Sequence, residues 1–79
     1  MKYRCYGYRI HIPANKYDID LLCRKYHCFT GTMETPSGLD FLDTVTTFNA
    51  IRTIVKEIRQ SGVEITSVWN VSLGKPIKI

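Results

Sequence analysis

The period of the apolar residues switches between two and about 3.6 along this chain, and the order of the switches restricts the fold more than any other feature. Between Arg4 and Ile12, the residues Tyr6, Tyr8, Ile10 and Ile12 take alternate positions, while Tyr3, Cys5, Gly7, Arg9 and His11 take the others. That is the pattern of a strand with one buried face. Pro13 removes the amide donor that a continuing ladder needs, and Asn15 or Asp18 is placed to cap a helix. Ile19, Leu22, Cys23 and Tyr26 then recur at i, i+3, i+4 and i+7, which predicts a first helix near residues 16–27.

Phe29–Thr35 and Leu39–Phe48 are rich in threonine, β-branched and aromatic residues, and Pro36-Ser37-Gly38 between them supplies turn chemistry, so a hairpin is expected. Asn49 as N-cap, the stripe Ile51, Ile54, Val55 and Ile58, and Gly62 as a left-handed C-terminal residue define a second helix near residues 50–61. Val63, Ile65, Trp69, Val71 and Leu73 alternate along a last strand, with Ser67 polar in their row and Val68 apolar outside it, and Gly74-Lys75-Pro76 ends it. The order strand, helix, strand, strand, helix, strand is the split βαβ pattern of ferredoxin-like folds. It implies an α+β two-layer sandwich, a four-stranded antiparallel sheet with both helices on one face and the first and third strands adjacent at its centre. Tyr8, Ile10, Ile19, Leu22, Ile51, Ile54, Val55, Ile58, Ile65, Trp69 and Val71 are then expected in one core. The phase of the third strand is open, because Leu39, Phe41 and Val45 share a side with Asp43 while Leu42 and Phe48 share the other with Thr44 and Thr46. Another α+β topology with a broken third strand is the alternative.

Seventy-nine residues, 44% hydrophobic and 23% charged, suit one domain spanning residues 1–79. Apolar runs such as Leu21-Leu22-Cys23 fall far short of the roughly 20 residues that cross a bilayer, so no membrane is expected as partner. No signal-peptide apolar block follows Met1-Lys2-Tyr3-Arg4-Cys5, and Cys5, Cys23 and Cys28 contain no Cys-x-x-Cys pair. A cytoplasmic protein with free thiols is expected.

Charge is segregated. Lys2, Arg4, Arg9, Lys16, Arg24 and Lys25 outweigh Asp18 and Asp20 in the first third, Glu34, Asp40 and Asp43 stand without a cation in residues 26–51, and Arg52, Lys56, Arg59, Lys75 and Lys78 outweigh Glu57 and Glu64 in the rest. The hairpin is therefore an acidic edge on a chain whose formal net charge is +4.

Catalytic constellations are missing. Cys5, His11, Cys23, His27 and Cys28 are soft-metal ligands by type, and Cys23 with His27 has i, i+4 spacing, but the tight pairs of structural zinc sites are absent. Neither His11 nor His27 comes with the carboxylate and oxyanion site that a cysteine nucleophile needs. Asp18 and Asp20 diverge on a helix, Asp40 and Asp43 fall on opposite faces of a strand, and the glycines are isolated, so paired-carboxylate chemistry and a phosphate loop are not indicated. No enzyme activity, metal or cofactor is expected. Pro13-Ala14-Asn15-Lys16 does not resemble the glycine-rich anion loop that acylphosphatases carry after their first strand, nor the Met-x-Cys-x-x-Cys of metallochaperones. Tyr3-Arg4-Cys5-Tyr6-Gly7-Tyr8 is aromatic, yet Leu39–Thr46 does not resemble the third-strand signature of RNA-recognition motifs.

Binding is the function class that is left. Tyr3, Arg9 and His11 on the helix-free sheet face, with Glu34, Asp40 and Asp43 on the acidic hairpin, are the candidate contacts for a protein or ribonucleoprotein complex. In size, compact core and lack of catalytic motifs the chain is similar to the inhibitors and adaptors that bacteriophages and other mobile elements encode, which would make a host defence complex such as a CRISPR effector its target. The rival expectation is RNA or DNA binding through Arg4, Arg9, Arg52, Lys56 and Arg59. Against it, Arg52, Lys56 and Arg59 also fit a solvated helix face. The open sheet face leaves room for a homodimer as well.

Overall fold

The computed structural model describes residues 4–14, 16–29 and 39–79. In them β1 (Cys5–Pro13), α1 (Ile19–Tyr26), β2 (Leu39–Thr47), α2 (Phe48–Gln60), β3 (Ser67–Asn70) and β4 (Lys75–Ile77) follow one another. One sheet holds the four strands in the order β2-β1-β3-β4, each neighbouring pair antiparallel. β2 and β3, joined through α2, run in the same direction with β1 between them, the split βαβ arrangement. The strand expected at 29–35 is represented by Phe29, which bridges the outer edge of β2. Its N–H donates to the Asp43 carbonyl at 2.7 Å and its carbonyl accepts from the Asp43 N–H at 2.6 Å. Asn15, residues 30–35 and the turn at Pro36-Ser37-Gly38 lie outside the described residues. The fold is α+β and ferredoxin-like in element order, with β4 added at the far edge, where Gly74-Lys75-Pro76 is expected to end the last strand.

Local chemistry sets the element boundaries. Asp18 caps α1, its carboxylate accepting from the Leu21 N–H at 3.2 Å, so the helix begins at Ile19 and not near residue 16. Thr47 takes the place expected for Asn49 as the cap of α2: its backbone is still extended while its hydroxyl accepts from the Ala50 N–H at 3.2 Å. β2 therefore enters α2 without a loop. At the other end Gly62 adopts a φ of 91°, and the Val63 N–H reaches the Ile58 carbonyl at 3.3 Å, a closure that seats Val63 in the core.

Register then decides which face each residue takes. Ile10 lies opposite both Leu42 and Val68, and Tyr8 opposite Thr44 and Asn70, so the third-strand ambiguity resolves with Leu42 and Thr44 under the helices and Phe41, Asp43 and Val45 on the far side. Tyr8, Ile10 and Ile12 of β1 form one cluster with Leu22 and Tyr26 of α1 and with Ile51, Val55 and Ile58 of α2. Both helices thus cover the same sheet face. Ile19, Ile54 and Ile65 pack at its margin, half-buried.

The alternation of the last strand puts Trp69 and Val71 in the core; the structure turns both outward. Residues 63–66 leave α2 as irregular chain, pinned where the Thr66 N–H donates to the His11 carbonyl at 2.8 Å. The inside-outside phase inverts across that segment, so Val68 and Asn70 point inward. Asn70 tolerates burial because its Oδ1 accepts from the Leu73 N–H at 2.9 Å and shapes the turn into β4. Val71 and Leu73 belong to that turn and are exposed.

One polar atom in the core has no partner among the described residues, the hydroxyl of Tyr8. An orphaned buried hydroxyl costs about 1–3 kcal/mol. Tyr8→Phe keeps the ring and its edge contact with Tyr6, so it is expected to raise stability by about 1 kcal/mol, seen as a melting temperature higher by roughly 4–8 °C. A drop of that size would mean the hydroxyl is satisfied.

Candidate functional site

The side of the sheet away from α1 and α2 collects the alternate residues of every strand: Gly7, Arg9 and His11 of β1, Phe41, Asp43 and Val45 of β2, Ser67 and Trp69 of β3, and Pro76 of β4. Directly opposed across β1 and β2, Arg9 and Asp43 form a two-pronged ion pair, Nε donating to Oδ1 at 2.8 Å and Nη2 to Oδ2 at 3.0 Å. The same guanidinium lies over the Phe41 ring, 4.2 Å from its centroid, and Phe41 is buried. Hydrogen bonding to Asp43 raises the Arg9 pKa against the opposing effect of burial, so this cation is fixed in charge and in position.

Apolar side chains surround the pair. Phe29, Val45 and Val71 are 59%, 64% and 51% exposed, and Trp69 is 37% exposed. Single exposed apolar residues are ordinary on a protein surface, but several on one sheet face are not. Phe29, Val45 and Val71 rim a hollow of about 240 Å³ that Arg9 and Asp43 wall and Gly7 floors. Below the 300–1,000 Å³ typical of small-molecule sites, the hollow suits one inserted side chain.

Gly7 makes the hollow. Its carbonyl accepts from the Val71 N–H at 2.8 Å and its own N–H donates to the Ser72 hydroxyl at 2.8 Å, which draws the β3–β4 turn against β1. A Cβ here would meet Ser72 Oγ at 3.5 Å and Val71 Cβ at 4.0 Å, ordinary contacts, and Gly7 is not among the glycines with positive φ. The backbone does not demand glycine, and the missing side chain leaves the space open.

His11 sits beside this centre with Nδ1 3.1 Å from the Ser67 hydroxyl. Burial lowers its pKa below the ordinary 6.5, the Arg9 cation adds to the shift, and Asp43 opposes it. The unfolded chain therefore takes up this proton first as pH falls. The contribution of His11 is complete above about 6.5 and is lost as pH drops through the lower folded value. Between about pH 7.5 and 5 the melting temperature is expected to fall further for the wild type than for His11→Gln; equal slopes would contradict the shift.

Of the expected partner contacts, the structure brings Arg9, His11 and Asp43 together. Asp40 lies opposite Ile12 on the helix side of β2, half-buried and away from Asp43, while Tyr3 and Glu34 are outside the described residues. The acidic hairpin thus does not present Asp43 as an open anion, because Arg9 holds it. The rival basic set divides too: Arg52, Lys56 and Arg59 are exposed on α2, on the other layer from Arg9, and Arg4 is exposed ahead of β1. No spacing or composition marks Phe29, Val45, Trp69 or Val71 as contacts; Gly7 alone carries a signal, because an isolated glycine inside an alternating strand points to close approach.

Thiol and metal chemistry gain nothing from the geometry. Burial pushes the Cys28 thiol up to about 11 and raises Cys23 as well, opposite to what a nucleophilic thiolate needs. His27 is the exposed, left-handed cap of α1, and among the described residues no three His, Cys, Asp or Glu side chains gather as a metal-holding group. No protein-family model, curated protein or solved structure matches this chain.

Proposed function

We propose that the chain acts by docking, without catalysis, and that its helix-free sheet face seats on a protein or ribonucleoprotein complex. The observation that carries this reading is the exposed rim of Phe29, Val45 and Val71 around the Gly7 hollow, with the rigid Arg9–Asp43 pair at its wall. A partner's apolar side chain fills the hollow as an anchor, and the ion pair, already matched within the chain, supplies donors and acceptors at its edge. Three cysteines without disulfides fit work in the reducing cytoplasm. Small size and a single core further fit an inhibitor of the kind bacteriophages encode against host defence complexes, CRISPR effectors among them.

Affinity purification from the source cell, at moderate salt and with nuclease added, tests the reading. One protein complex should be retained by wild type and by Arg24→Glu, a change at an exposed position of α1, and lost with Val45→Glu. Recovery of nucleic acid alone, or of a complex indifferent to Val45→Glu, would contradict it. Concentration-dependent dimerisation abolished by Val45→Glu would make a second copy of the chain the occupant.

A further inference from the structure

On the opposite layer, Phe48, Arg52, Lys56 and Arg59 stand at i, i+4, i+8 and i+11 of α2, one ridge along about 16 Å of helix axis. All four are exposed, and the Arg52 guanidinium lies 5.9 Å from the centre of the Phe48 ring. The three cations border a groove of about 550 Å³, closed on its other side by Ile79 and carrying the amides of Asn49 and Gln60. Arg59 donates from Nη1 to the Ile79 main-chain oxygen, so residues 78–79 hold its guanidinium where this groove meets a second one, of about 480 Å³, that contains Lys78. Neither groove has an Asp or Glu side chain in its wall. The side-chain ion pairs among the described residues are Arg9–Asp43 and Lys16–Glu64, which leaves Arg52, Lys56 and Lys78 without an Asp or Glu partner there, while Arg59 is held by the Ile79 main-chain oxygen. Glu57 lines a different hollow, toward Tyr26 and Thr46.

From this arrangement we infer that the α2 ridge and the C-terminal segment form a track for single-stranded nucleic acid, phosphates on Arg52, Lys56, Arg59 and Lys78 and one base on Phe48. An anionic peptide would use the cations equally well but gives no role to an exposed ring at the head of the row. A duplex would use the cations and cannot offer an unpaired base to that ring. An aromatic platform beside a basic groove is the combination by which single strands are held without sequence preference. The track shares no lining residue with the Gly7 hollow, so either site can fail without the other.

The test is fluorescence anisotropy with a labelled, mixed-sequence single strand of about 15 nucleotides, run as RNA and as DNA. Four phosphates neutralised give a slope of about −3 in log K against log salt, roughly 50-fold weaker binding between about 50 and 200 mM. Replacing Arg52 and Lys56 together by alanine should halve that slope, and neither makes a side-chain hydrogen bond or ion pair that the fold would lose among the described residues. Phe48→Ala should weaken single-strand binding about 5- to 100-fold and leave duplex binding unchanged. No binding at low salt, a slope indifferent to the double change, or equal affinity for duplex or polyglutamate would each overturn the inference.

Discussion

Ile58→Ala is expected to lower the unfolding free energy by about 2–5 kcal/mol, much of the roughly 4–12 kcal/mol that a chain of this length holds in total. Ile58 is fully buried, faces the sheet with Ile51 and Val55, and its carbonyl accepts both from the Val63 N–H at the helix end and from the Ser61 hydroxyl at 2.7 Å. Ser61 in turn receives the Tyr26 hydroxyl at 3.1 Å, so the C-terminal ends of α1 and α2 meet at this point. Truncation there leaves a cavity beneath the junction of both helices. Ile54, half-buried one turn earlier, should cost less than about 2 kcal/mol when truncated in the same way. Urea unfolding of the two variants side by side reads the rotational phase of α2, and equal losses would mean that the helix is rotated from the position described.

How far the sequence reaches follows from how each residue signals. β1 and α2 are legible because most of their apolar residues keep one phase: Tyr6, Tyr8, Ile10 and Ile12 alternate, and Ile51, Ile54, Val55 and Ile58 keep one stripe. Gly62 is legible as well, since glycine is the usual residue at positive φ after a helix, whereas His27, left-handed after α1, carries no such signal. Position 67 onward misleads for a physical reason. Trp69 and Val71 look like core by hydropathy, yet register against β1 places Trp69 beside Arg9 on the open face, and Ser67, the polar residue in their row, marks that side as outward. The buried Asn70 is invisible from pattern alone, because its burial depends on a turn bond to Leu73.

The site shows the same division. Alternation puts Arg9 and His11 on the helix-free face, and period two separates Asp40 from Asp43. Pairing of Arg9 with Asp43 needs the register of β1 on β2, which no spacing in the sequence encodes. The Gly7 hollow needs more still: it exists because the β3–β4 turn folds back onto β1 and leaves Val45 and Val71 on either side of an absent side chain.

Gly7→Val should accordingly separate docking from folding. The new Cβ meets only ordinary contacts, and a β-branched residue suits a central strand better than glycine does, so stability should hold or rise by up to about 1 kcal/mol. Its methyls occupy the hollow, and a partner's anchor is turned away. Loss of one central anchor costs about 2 kcal/mol or more, which is at least a 30-fold weaker complex, expressed mainly as faster dissociation.

The most direct measurement is therefore the dissociation constant of the purified partner complex for wild type and Gly7→Val, taken with nuclease present and beside their melting temperatures. An affinity at least about 30-fold weaker at an unchanged or higher melting temperature is the predicted result. An affinity equal to wild type, with the hollow filled and the fold intact, would contradict docking through this face.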